Sequence, residues 1–251
     1  RPRLPARGPA RNCFWLPGNE EALAETAEQI RGMGGEVDYL ARDVGESGWA
    51  EEVSAACIAR FGTFDTWIND AAAAVYAGVE EMSFTEHRRV FDVGYFGTLQ
   101  GSVVAARHLR EHGGAIINLG SVLSERTMIL QGSYSAMKHA VRGFTDAPVS
   151  VTLIKPNGID TPYPEHARNK MGKPARIPPV IYDPRLVARA ILFCAQHQRR
   201  EITVGGTGLA IAKSNVLAPG LMDFVMARVI GRSAQQTDQA PDPAAKDNLF
   251  E

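Results

Sequence analysis

Cysteine is scarce and scattered. Cys13, Cys57 and Cys194 are odd in number and far apart. This argues against a disulfide framework and fits a reducing compartment, so a cytoplasmic location is the expectation. None of the three has a partner at zinc-site spacing. His108 and His112 stand four apart, with no third ligand nearby. An exposed helix face is the reading there, and no metal is expected. Charge of one sign is lacking too. A net charge of −1 gives no basis for a nucleic-acid partner. No apolar run reaches membrane length without interruption, no signal-peptide pattern stands out, and no internal repeat is seen. What remains is 251 residues, 45% hydrophobic and 22% charged, ordinary for one α/β domain.

One stretch organises the rest. Ala115-Ile116-Ile117-Asn118-Leu119 reads as a buried parallel strand and runs into Gly120-Ser121. Ser121 then stands at the strand's C-terminal end, where open α/β sheets bind ligands. Past Gln131-Gly132-Ser133 the pattern turns helical, and Tyr134 and Lys138 share one face at i and i+4. A free phenol has a pKa of about 10 and is a poor acid or base near neutrality. A neighbouring ammonium would lower it. Tyr134 could then exchange a proton with a carbonyl or alcohol oxygen held by the Ser121 hydroxyl.

This serine, the Tyr-x-x-x-Lys and the flanking Gly132-Ser133-Tyr134-Ser135-Ala136-Met137-Lys138-His139-Ala140-Val141 resemble the short-chain dehydrogenase/reductase family. The resemblance runs from about Asn19 to about Gly206. It implies a Rossmann-like doubly wound parallel sheet, NADP or NAD as cofactor, and hydride transfer between an alcohol and a carbonyl. It gives Ser121, Tyr134 and Lys138 catalytic roles, with Tyr134 and Lys138 also touching the cofactor. It assigns Asp43 and Val44 to the adenine, and Asn69 and Ala71 to the cofactor ribose side. Pro156, Ile159 and Thr161 fall in the segment that lies against the nicotinamide. Gly18, where an acidic residue would favour NAD, leans the choice toward NADP. The family's usual homodimer or homotetramer would form through two long helices, about 83–112 and 133–147. Val103, Val104, Val141 and Phe144 are the apolar candidates for that contact.

Several positions depart from the family. Residues 1–18 are irregular, with no Gly-rich turn for a pyrophosphate, so the first strand and that turn are expected to be missing. Asp70 and Ala72 stand where the family has Asn and Gly. Gly94 replaces an asparagine that holds a water leading to the catalytic lysine. Asn157 replaces a glycine. About ten residues are short after Ala147. These departures support a rival, a non-catalytic binding or scaffold protein that keeps the fold.

The expected organisation is one Rossmann-like domain over 19–232 between the irregular 1–18 and a flexible polar tail, 233–251. Within it, 162–182 reads as a mobile substrate loop. Residues 209–230 form an apolar piece suited to a lid, a subunit contact or peripheral membrane contact. Gly206-Thr207-Gly208 imitates a dinucleotide fingerprint but lacks its third glycine and its following βαβ unit, and reads as a loop. The substrate is expected to be a partly hydrophobic small alcohol or carbonyl.

Overall fold

The computed structural model describes residues 12–15, 20–145, 151–228, 231–240 and 247–250. The readings of residues 1–11, Gly18 and the stretch just after Ala147 fall outside them.

Strand β1 (Asn12–Trp15) leads to helix α1 (Glu20–Gly32) and strand β2 (Glu36–Tyr39). Glu20 and Glu21 in the first turn and Arg31 in the last complement the helix dipole, while Leu23 and Ala27 bury one face. Helix α2 (Trp49–Phe61) stops at Gly62, whose positive φ of 81° lets its N–H donate to the Ile58 carbonyl. Strand β3 (Thr66–Asn69) and the short β4 (Val75–Tyr76) follow.

Helix α3 (Phe84–Phe91) starts with a capping box: Glu86 N–H donates to Ser83 Oγ at 3.3 Å, and Ser83 N–H to Glu86 Oε2 at 2.7 Å. A π-helical turn at Asp92–Phe96 joins it to α4 (Gly97–His112). Gly114 then allows a close approach, because a Cβ there would sit 2.2 Å from the Asp65 carbonyl oxygen. That approach sets β5 (Ala115–Leu119) beside β3. Helix α5 (Gly132–Thr145), strand β6 (Val151–Pro156), the one-turn α6 (Tyr163–His166) and β7 (Arg168–Asn169) come next. Helix α7 (Pro184–Gln196), strand β8 (Glu201–Val204), α8 (Gly206–Leu217) and α9 (Pro219–Arg228) complete the described elements, apart from short 3₁₀ turns.

The expected architecture is present. Strands β3-β5-β6-β8 form a parallel sheet in that order. On one face Trp49, Val53, Val104, Leu109 and Val141, from α2, α4 and α5, pack on Trp67, Ile116, Val151 and Leu153. On the other face α7 covers Ile117, Leu119 and Ile154 through Cys194, Val187 and Ile191. Val104 and Val141, expected at a subunit contact, are therefore core residues; Val103 is exposed.

Strands β1 and β2 pair only with each other among the described residues. Among the described residues no strand lies on the free edge of β1 or of β3, where the family pattern puts a central first strand. The cover also ends there. Ile68 pairs in register with Ile117 and shares its face, yet Ile68 is 46% exposed and Ile117 is 0% exposed.

The 162–182 stretch differs from a free loop. Its β7 pairs with β4, and Ala167 and Met171 are buried. The tail differs from a flexible one in both of its described parts. Gln235 is buried and donates to the Ile129 carbonyl at 2.9 Å. Leu249 is buried and its carbonyl accepts from Arg89 Nε at 2.6 Å. Gly206-Thr207-Gly208 is the first turn of α8 rather than a loop. The apolar piece forms α8 and α9, which leave Val216, Leu217, Leu221 and Phe224 exposed. No helix among the described residues is long and apolar enough to cross a membrane.

Glu86 ties the cap of α3 to β7. It meets Lys170 at 2.7 Å and Arg168 at 3.4 Å. Burial raises its pKa, but the Lys170 hydrogen bond and the Ser83 backbone and hydroxyl outweigh it and hold the carboxyl at about 2. A depressed carboxyl pKa stabilises the fold fully above the unfolded value and loses that contribution as pH falls through the folded one. Wild type should therefore lose thermal stability between the ordinary carboxyl range and about pH 2. Glu86→Gln should flatten that part of a melting-temperature titration. An unchanged acid slope in the variant would refute the assignment.

Candidate active site

The C-terminal ends of β3, β5 and β6 build one cleft. Gly120 N–H donates to the Ile154 carbonyl at 2.7 Å and holds the exit of β5 against β6. Ser121 is extended and buried, and its Oγ accepts from Leu123 N–H at 3.1 Å. Its hydroxyl also acts on the Tyr134 phenol. Ser124 Oγ donates to the Ser121 carbonyl at 2.6 Å and fixes the turn.

Helix α5 carries Tyr134 and Lys138 into the same cleft. Tyr134 is half-buried and Lys138 is 3% exposed. Lys138 Nζ donates to the Leu119 carbonyl at 2.6 Å and stands 5.6 Å from the centre of the Tyr134 ring. The cation thus faces the ring rather than the phenol oxygen. The expected lowering of the Tyr134 pKa is not what the structure has. Burial raises it first, the Tyr76 and Asp70 charges add to that, and the Tyr163 and Ser121 hydroxyls oppose. Burial also pushes Lys138 down to about 8, with Asp70 opposing.

Asp70 belongs to this group. Register sets Asn69 opposite Asn118, so Asp70 stands level with Leu119 and near the ammonium that Leu119 holds. It is open to solvent yet ringed by protein, which describes a cleft floor. Desolvation raises its pKa and the Lys138 charge counteracts this.

Asn69 is buried in a network that joins β3 to β5. Its Oδ1 accepts from Trp67 Nε1 at 2.9 Å, and its Nδ2 donates to Asn118 Oδ1 at 2.8 Å and Ser102 Oγ at 3.0 Å. The side chain is committed, so only its backbone remains for a cofactor. Ala71 is exposed beside it at the end of β3.

Gly94 lies in the π-helical turn. A Cβ there would come within 2.5 Å of the Met137 thioether. Met137 thus fills the space in which the family pattern places an asparagine side chain.

The remaining candidates spread along the sheet edge. Pro156 ends β6, Ile159 bridges to Tyr182, and Thr161 Oγ1 donates to the Ile159 carbonyl at 3.4 Å. Asn157 Nδ2 donates to Thr207 Oγ1 at 2.7 Å and ties this edge to α8. Asp43 and Val44 follow β2. Asp43 is engaged by Arg89 at 2.7 Å and by Gly45 N–H at 2.8 Å, and Val44 is buried. Two residues not singled out in the sequence also reach the cleft, Tyr76 from β4 and Tyr163 from α6. Their rings lie 6.3 Å apart, and Tyr163 is 5.7 Å from Tyr134. The only local signal for Tyr163 is its place just after Thr161-Pro162.

A parallel sheet flanked by helices, with serine, tyrosine and lysine at its C-terminal edge, defines an α/β oxidoreductase of the Rossmann type. The family model for short chain dehydrogenase matches residues 7–171. An uncharacterized oxidoreductase of Bacillus subtilis, YxnA, is 35% identical over 246 residues, covering 93% of this chain and 69% of its own length. The chain belongs to the short-chain dehydrogenase family. A diacetyl reductase [(S)-acetoin forming] of Staphylococcus epidermidis is 28% identical, over 61% of this chain and 60% of the relative. Among solved structures, a gluconate 5-dehydrogenase from Burkholderia cenocepacia in complex with NADP and tartrate shares the fold, with TM-score 0.65 and 21% identity over 78% of this chain and 85% of that one.

Proposed function

We propose that the protein is an NAD(P)-dependent oxidoreductase that interconverts a carbonyl and an alcohol, with Tyr134 as its general acid and base. The observation that carries this is the half-buried Tyr134 phenol, with the Ser121 hydroxyl beside it and the Lys138 ammonium against its ring. Pro156, Ile159, Thr161, Asn69 and Ala71 are proposed for the nicotinamide half of the cofactor, Asp43 and Val44 for the adenine. The cleft's donor set suits the nicotinamide end. A Gly-rich cradle for the pyrophosphate is not among the described residues. When bound, the cofactor would supply the hydride.

The chain's own residues handle the oxygen. Ser121 donates a hydrogen bond to it. Tyr134, protonated near neutrality as any phenol is, gives its proton to the oxygen as the C=O becomes CH–OH. That protonation state favours carbonyl reduction. The name of the diacetyl reductase relative supports the same direction. Free, buried Cys57 and Cys194 support a reducing compartment. A panel of carbonyls assayed by loss of reduced-nicotinamide absorbance tests the reading. No turnover on any of them, with cofactor bound, would refute it.

The Asp70 charge raises the pKa of both Lys138 and Tyr134. Removing it lowers both, so the alkaline fall of kcat in Asp70→Asn should occur at lower pH than in wild type. An unmoved alkaline limb would remove Asp70 from the site.

A further inference from the structure

Tyr163 brings a polar group to the cleft that the chemistry above does not use. Its ring packs on Tyr76 and Tyr134, in a wall made with Ala74, Ala167 and Met171. Its Oη is buried and meets no hydrogen-bond partner among the described residues. A hydroxyl buried in such a wall is costly unless something pairs with it. The ring contacts do not need it, since phenylalanine would make the same ones. The Tyr163 hydroxyl is near enough to that of Tyr134 to shift its ionisation, but the geometry between the two oxygens falls short of a hydrogen bond, which leaves the Tyr163 proton to be placed.

We propose that Tyr163 Oη donates a hydrogen bond to a second substrate oxygen, on the carbon next to the reacting carbonyl. The substrates are then 1,2-dioxygenated: α-diketones or α-hydroxyketones with a hydrophobic remainder. This rests on the reading of Tyr134 as the acid. Tyr134 takes the reacting oxygen, and the neighbouring phenol faces the atom next to it. In the reaction the reacting carbon gains hydride and its oxygen gains the Tyr134 proton. The second oxygen is bound and unchanged. The aromatic and apolar wall takes the rest of the molecule.

The test uses a matched pair, 2,3-hexanedione and 2-hexanone. With NADPH, wild type should reduce the diketone with a kcat/KM about tenfold or more above the monoketone, the value of one well-placed hydrogen bond. Tyr163→Phe should lower the diketone-to-monoketone ratio about tenfold, to whatever the greater electrophilicity of the diketone sets, because the analogue lacking the oxygen no longer leaves a buried hydroxyl unpaired. Calorimetric titration gives a second readout: the diketone should bind Tyr163→Phe about tenfold more weakly than wild type. An equal loss on both ketones, or unchanged diketone affinity, would overturn the proposal while leaving the role of Tyr134 standing. No turnover of either ketone, together with the tenfold affinity difference, would support Tyr163 as the oxygen-binding group and overturn the assignment of Tyr134 instead.

Discussion

Tyr134→Phe is expected to lower kcat about 10²–10⁴-fold while the protein stays folded and still binds cofactor. The variant removes one oxygen and keeps the ring, so the contacts with Tyr163 and with the Lys138 ammonium persist. What disappears is the group that can give a proton to the substrate oxygen. Ser121 is not expected to replace it, because its proposed role is to hold the oxygen rather than to protonate it. The comparison needs kcat on one carbonyl, cofactor affinity by fluorescence, and circular dichroism of both proteins. Near-normal turnover would remove Tyr134 from the reaction and favour a fold kept for binding alone.

The largest effect on stability is expected at Asn118. Its side chain is fully buried and unites five residues. It donates to Thr145 Oγ1 at 3.0 Å and accepts from Asn69 at 2.8 Å and Ser102 at 3.2 Å, and Asn69 in turn accepts from Trp67. Asn118→Leu keeps the volume and removes both functions of the amide. Asn69, Ser102 and Thr145 each lose one hydrogen bond where water does not reach, while Asn69 keeps its bond to Ser102 and Thr145 its bond to the Val141 carbonyl. Each unsatisfied buried group costs about 1–3 kcal/mol. Partial relaxation brings the expected total to about 3–5 kcal/mol, a large share of the roughly 5–15 kcal/mol of a typical domain. Denaturant unfolding of both proteins measures it. A loss below about 1 kcal/mol, the ordinary effect of a single substitution, would mean that the network is not the link between β3 and β5.

The fold and the Ser121, Tyr134, Lys138 group were readable because their signals are local. A β-branched run, a Gly-Ser exit and an i, i+4 pair each lie within a few residues. Orientation was not local. Sequence spacing puts Lys138 near Tyr134, but burial and the Tyr76 and Asp70 charges, all set by the fold, raise the phenol, while the Leu119 carbonyl of β5 holds the Lys138 Nζ. Tyr163 was invisible for a similar reason. It reaches the cleft because β7 pairs with β4, a contact between segments of two residues each with no periodicity to read. The tail misled through composition. A polar stretch needs only Gln235 and Leu249 to dock, and two buried side chains leave no compositional mark. Gly206 and Gly208 suggested a loop, yet they open α8, where Gly208 lets the helix pack closely on Val122 and Asn157.

The contact between Gly94 and Met137 bears on how this chain can evolve. Met137 is fully buried and its thioether lies where a side chain at position 94 would start, so it must repack when that position gains one. An asparagine at 94 displaces the Met137 thioether, and a smaller residue at 137 beside glycine leaves a cavity. Each single change is disfavoured, and only the pair restores packing. The two positions therefore form one heritable unit. A lineage carrying Gly94 and Met137 is held away from the asparagine of its relatives by an epistatic barrier, whatever that asparagine would contribute to proton transfer.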